Sequence, residues 1–234
     1  PTDPERASVI RVSDTSQAVS WVRGGNADNC WTGVSVERQE DGGSWVSVYR
    51  GDTDGTSWSD TSTTAGHAYA YQVRGKNPSG TSEAATAGTV YTTPSSPYGV
   101  TASAASATTA TIDATVKPKY VDSYEIQRKT TGDWESVSTV TSLPATVATA
   151  AGSNTFRVRA KKGELLSGWA DSNSITTVAR PLAPTITGLS SRYLVGATAA
   201  FVWIPNHPDG SEQTQAQVEI TVPAGTVSTS TVSG

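Results

Sequence analysis

Two histidines, one cysteine and a few clustered carboxylates are all that this chain offers to acid–base, nucleophilic or metal chemistry. His67 stands beside Gly66 at a corner and His207 lies far along the chain, so neither order nor spacing suggests a Ser/His/Asp or Cys/His set. His67 reads as a solvated loop residue. Asp52 and Asp54 stand in a turn where nothing excludes water, so neither carboxyl has a reason to rise into the range of a general acid. Asp52-Thr53-Asp54-Gly55 opens like a calcium loop but lacks the next alternate ligand and the closing glutamate, which makes it a plain turn. Cys30 is alone, excluding an internal disulfide and any multi-cysteine metal site. No glycine-rich phosphate loop follows a strand and opens a helix. The expectation is a non-enzyme with no cofactor and no metal.

Aromatic residues offer more. Trp31, Trp45, Trp58, Trp134 and Trp169 exceed what small cores need, and exposed indoles can stack on sugar rings. Alternatively, Trp45 and Trp134 recur because a sheet needs covering at that position. A second candidate is the loop tip Lys161-Lys162-Gly163-Glu164-Leu165-Leu166, since loops carry function on rigid scaffolds; its leucines either meet a partner or fold back onto Trp169. Trp58, Lys161, Lys162, Leu165 and Leu166 are therefore the candidate ligand contacts.

The elements that position these residues are strands. In residues 69–77, Tyr69, Tyr71, Val73 and Gly75 share one parity, while Ala70, Gln72, Arg74 and Lys76 share the other, as in a strand with one buried face. The pattern returns at Thr155-Phe156-Arg157-Val158-Arg159-Ala160, which marks a repeated unit. Around the first copy, strands are expected at residues 7–12, 17–21, 31–38, 44–49, 56–60 and 83–91. Val34 and Val36 should point inward, and Glu37 and Arg38 outward or to the rim. Short strands with Asp41-Gly42-Gly43 and Asn77-Pro78-Ser79-Gly80 as turns predict an antiparallel β-sandwich.

Composition agrees. The chain of 234 residues has a net charge of -4 and only 16% charged residues, which gives no counterion-release drive toward nucleic acid. No apolar run approaches the roughly 20 residues that span a bilayer, and residues 1–4 resemble no leader. Neither nucleic-acid binding nor membrane insertion is expected. Methionine is absent, which fits a piece excised from a longer protein.

Several residues together resemble the fibronectin type III family. They are Pro4 before the first strand, Trp21 ending the second, the Tyr69, Tyr71 and Val73 series, Asn77-x-x-Gly80-x-Ser82, and Thr93-Pro94 at the exit. The resemblance implies that Tyr69 is a tyrosine-corner residue whose hydroxyl bonds back to the backbone. Residues 1–96 form one such domain and residues 97–180 a second, with Tyr124 and Ile126 matching Val34 and Val36, and Phe156 and Val158 matching Tyr71 and Val73. Ala114 replaces Trp21 and Asn154 replaces Tyr69, so Tyr124, Phe156 and Trp169 are the expected compensation. Residues 181–234 hold an incomplete third unit with Trp203 in the place of Trp21, strands at 183–189, 198–204 and 215–222, and a poorly ordered tail at 224–234. Pro94-Ser95-Ser96-Pro97 and Pro181-Leu182-Ala183-Pro184 read as stiff spacers. Arg50-Gly51-Asp52 matches an integrin-read tripeptide but stands after the fourth strand, not the sixth.

Residues 203–218, from Trp203 through Asp209-Gly210-Ser211 to Val218, resemble fibronectin-like modules of minor tail proteins from phages and prophages of Gram-positive bacteria. That resemblance implies a spacer and host-attachment segment in a virion tail, with other tail proteins and host cell-wall polysaccharide as partners. The alternative is a spacer module of a secreted glycoside hydrolase or cell-wall adhesin, located outside the cell or in a Gram-positive wall.

Overall fold

In the computed structural model the described residues are 1–25, 31–52, 55–178, 182–187, 202–206, 215–221 and 227–233. The chain is all-β, a string of immunoglobulin-like sandwiches. The first is built from β1 (Arg6–Ser13), β2 (Ser16–Val22), β3 (Gly33–Glu40), β4 (Trp45–Gly51), β5 (Ser57–Asp60), β6 (Ala68–Asn77), β7 (Gly80–Thr81) and β8 (Ala85–Tyr91). One sheet has the order β1-β2-β5, and the other runs β4-β3-β6-β7 with β8 also on β6. All these pairings are antiparallel. The alternation of β6 has the expected result, for Tyr69, Tyr71 and Val73 are buried with Val19, Trp21, Trp31, Val34 and Val36 in one cluster. Each large apolar side chain removed from water stabilises this core by roughly 1.5–3 kcal/mol.

Two expectations need correction. Of the two placements expected for Arg38, outward or at the rim, the outward one is overturned, because its guanidinium reaches Asp60 Oδ2 at 2.8 Å and its side chain is only 17% exposed. Trp31 is not surplus surface aromatic, because it packs in the core and its Nε1 donates to the Thr2 carbonyl at 2.9 Å. Gly75 makes the room, since a Cβ there would collide with the indole.

The second sandwich repeats the plan with β9 (Tyr98–Ser106), β10 (Thr109–Val116), β11 (Ser123–Lys129), β12 (Glu135–Val140), β13 (Ala145–Ala148), β14 (Gly152–Lys162), β15 (Leu165–Leu166), β16 (Ala170–Asp171) and β17 (Ile175–Thr177). Its sheets are β13-β10-β9 and β12-β11-β14-β15, with β16 and β17 also on β14. The repeat reaches single bonds. Gly75 N donates to Ser82 Oγ at 3.0 Å, and Ala160 N donates to Ser167 Oγ at 2.9 Å. Tyr124, Ile126, Phe156 and Val158 are buried around Ala114. Trp169 does not join that core, and lies on the outer face over Arg157 and Arg159.

Beyond it, β18 (Leu182–Thr187) pairs with β19 (Val202–Asn206), and β20 (Gln215–Thr221) with β21 (Val227–Ser233). Trp203 lies on β19 opposite Ile186. The expected loose tail is corrected in part, because residues 227–233 form a full antiparallel partner for β20. The Asp209-Gly210-Ser211 turn, Cys30, Asp54 and His207 lie outside the described residues.

Candidate functional site

The candidates from the sequence separate into four groups. Trp58 is half-buried against the first core and stacks on Tyr49, ring centroids 5.2 Å apart with planes 20° from parallel. One face of its indole is thus committed to the protein. Leu165 is half-buried and Leu166 is 38% exposed on the two-residue strand that closes the tip. Lys162 lies at the joint, where its Nζ binds Asp122 of its own sandwich at 2.7 Å and lies over the Tyr91 ring of the first sandwich at 4.4 Å. Only Lys161 remains on the outer face of β14, on the parity of Arg157 and Arg159.

Tyr69, singled out for its hydroxyl, receives the Thr64 amide at 3.1 Å. In the second sandwich Asn154 takes the corresponding place, fully buried. Its Nδ2 donates to the carbonyls of Ala150 and Gly152, each at 2.8 Å, and its Oδ1 accepts from Ala150 N at 2.9 Å. An amide has both donors and an acceptor, so it can close by itself the corner that a phenol ties in the first unit.

Lys162 brings attention to the joint between the two sandwiches. Asp41 in the β3–β4 turn and Tyr120 before β11 are the two non-glycine residues described with positive φ, at 51° and 55°. Backbone outliers of this kind persist where surroundings over-determine them. These two face one another across the joint, and the Asp41 carboxylate acts on the Tyr120 hydroxyl, which partial burial and that charge together raise above its ordinary value. Tyr120 also meets Tyr91, ring centroids 5.6 Å apart. Behind Asp41, His67 Nδ1 lies 3.0 Å from its carboxylate and 3.2 Å from Glu40 Oε1. His67 is therefore part of a polar cluster and not a free loop residue. Burial would raise the Asp41 carboxyl, but hydrogen bonds from Ala68 N and His67 reverse that and hold it low.

The second grouping is a stack on the outer face of β14. The Arg157 guanidinium carbon lies 4.4 Å from the Trp134 ring centre and 4.5 Å from that of Trp169, and Arg159 lies 4.4 Å from Trp169. Trp134 and Trp169 are thus half-buried and stacked on guanidinium groups, so the five tryptophans do not form a common platform. Sequence reasoning missed this arrangement, although Arg157, Arg159 and Lys161 at every second position were its readable signal.

Among the described residues no cluster of histidine, cysteine, aspartate or glutamate could hold a metal ion. Among the same residues no helix is long and apolar enough to cross a membrane.

No protein-family model matches the chain, and no curated protein matches it. Among solved structures it is similar to a two fibronectin type III domain segment from chicken tenascin, with 19% identity over 74% of this chain and 99% of that one and a TM-score of 0.41. It is also similar to the FN1–FN3 domains of chicken CNTN1, with 16% identity over 100% of this chain and 85% of that one and a TM-score of 0.47.

Proposed function

We propose that this chain is a non-catalytic structural and adhesive segment of a phage or prophage tail protein, a stiff spacer that holds surfaces against a host cell wall. The observation that carries the reading is the joint. Residues 92–97 are all that separate β8 from β9, and their first half is tied to the first sandwich. Thr93 N donates to Asp14 Oδ1 at 2.7 Å, Gly66 N to the Thr93 carbonyl at 2.8 Å, and Thr92 N to the His67 carbonyl at 3.1 Å. The proline pair Pro94 and Pro97 limits the rest to extended backbone. With Tyr120 and Lys162 seated on Tyr91, the second sandwich has little freedom to swing, which suits a spacer and not a flexible tether. The likeness of residues 203–218 to tail modules supplies the assembly.

Gold labelling of tails with an antibody against this chain tests the assignment. Label on purified particles supports it. Absence of the chain from those particles, with its presence in culture supernatant or wall fractions, sinks it in favour of a secreted hydrolase or adhesin.

A further inference from the structure

Corresponding outer faces of the two sandwiches differ by an exchange of side chains. In the first, Gln72 of β6 faces Glu37 of β3, its Nε2 donating at 2.5 Å, and Arg74 Nε reaches the same carboxylate at 3.2 Å. In the second, Arg157 stands where Gln72 stood and Gln127 where Glu37 stood. The Arg157 guanidinium donates from Nε and Nη2 to Gln127 Oε1 at 2.8 and 2.6 Å, a neutral acceptor. The face's other guanidinium, Arg159, meets Glu125 through Nη2 at 2.6 Å and Nε at 2.8 Å. Arg157 is thus a fixed cation with no carboxylate ion-paired to it among the described residues, held by indoles on β14's outer side.

It does not stand alone. Arg157, Arg159 and Lys161 follow at every second residue, about 7 Å apart along the strand, and Lys129 lies across on β11 opposite Thr155. Against these four cations the face sets two carboxylates, Glu125 bound to Arg159 and Asp171 opposite Arg157 on β16, which forms no ion pair with it. The excess is positive in a chain whose net charge is -4.

We propose that this face docks a linear, uronate-bearing polysaccharide, laid along β14 with successive carboxylates on Lys129, Arg157 and Lys161. A ligand carboxylate suits the end of the Arg157 guanidinium that Gln127 does not occupy, a charged acceptor beside a neutral one, and a repeating polymer matches cations in file. The proposal rests on the reading of the chain as part of a surface-engaging assembly and names its ligand chemistry. A nucleic-acid strand is disfavoured, because base stacking needs open aromatic faces and here Trp169 already carries two guanidinium groups.

The test is a calorimetric titration of the full chain with polygalacturonate at about 0.15 M salt, beside neutral dextran and a single-stranded oligonucleotide. Saturable binding of polygalacturonate alone is expected. Loss of two such charge-assisted contacts in Arg157→Gln with Lys161→Gln should weaken it at least about tenfold, and Lys76→Gln on the first sandwich should leave it unchanged. Because Arg157 is part of the stack, Lys129→Gln with Lys161→Gln provides a second pair that leaves the stack intact and should weaken binding too. Absence of heat with the folded chain, or binding indifferent to both pairs, overturns the proposal while leaving the tail assignment to the labelling experiment. Equal or tighter binding of the oligonucleotide overturns it in favour of a nucleic-acid ligand.

Discussion

The Tyr71 hydroxyl donates to Asp60 Oδ2 at 2.8 Å, and Arg38 Nη1 reaches that oxygen at the same distance. The other carboxylate oxygen accepts the Ser62 hydroxyl and amide at 2.6 and 2.9 Å. The Asp60 side chain is only 1% exposed, so this is an ion pair inside the first sandwich, satisfied on both oxygens. Asp60→Asn keeps the shape and leaves the Arg38 cation with only Glu40, exposed and 3.9 Å away, as counter-charge. Removing one partner of a buried pair costs roughly 3–5 kcal/mol. Tyr71→Phe removes only a neutral donor and should cost about 1–3 kcal/mol. Urea unfolding of the first sandwich measures both, and an Asn variant as stable as wild type would mean the pair is not closed in solution.

The same carboxylate predicts a pH dependence. Burial would raise the Asp60 carboxyl, but hydrogen bonds from Ser62, Arg38 and Tyr71 outweigh burial and hold it below the ordinary 3.8. Asp14 and Asp41 shift the same way. A carboxylate whose folded pKa is depressed contributes stability that is present above its unfolded value and lost as pH falls through the folded one. Unfolding free energy should therefore be level down to about pH 5 and decline below about pH 4. Asp60→Asn should flatten that decline in unfolding curves taken at several pH values, and an unchanged acid limb would assign the loss to other groups.

Residues 69–77 and 155–160 made the fold legible, because a strict two-residue alternation specifies which side chains share a core. What alternation cannot convey is the partner of a polar residue on the inward parity. Arg38 points inward because Asp60 and Tyr71 wait for it, and those lie 22 and 33 positions away. Trp31 is core because Gly75, on β6, gives it space. Residues 227–233 were missed as a strand because Val227-Ser228-Thr229-Ser230-Thr231-Val232 has no apolar face, and their pairing with β20 is what orders them. Of the candidate contacts, Lys161 alone lies on the face proposed as a docking surface. Lys162, its neighbour of opposite parity, serves the joint.

Gly75 offers a test of packing in the first core. A methyl group there would enter the Trp31 indole, which is held behind it by its bond to the Thr2 carbonyl. The second sandwich has Ala160 at the matching place, where no tryptophan stands behind. Gly75→Ala should therefore destabilise the first sandwich by about 1–3 kcal/mol through overpacking. Ala160→Gly should cost the second about 0.5–1 kcal/mol, mainly in backbone entropy. Chemical denaturation followed through amide NMR signals of each sandwich separates the cases, and a neutral Gly75→Ala would show that the indole can move aside.

Tyr120 allows the joint to be loosened without unfolding either sandwich. It keeps φ at 55° while its ring contacts Tyr91, and asparagine tolerates that left-handed backbone better than most side chains. Tyr120→Asn should thus preserve the local chain path but remove the ring and the hydroxyl that faces Asp41. Lys162 would still lie over Tyr91, so Lys162→Gln is combined with it to release the second contact. The double variant should keep the thermal transitions of both sandwiches. Its label-to-label distance distribution between the two, measured by pulsed electron resonance, should broaden clearly beyond the narrow one expected of wild type. A distribution equally broad in both proteins would show that the joint is loose from the start, and the spacer reading would lose its carrying observation.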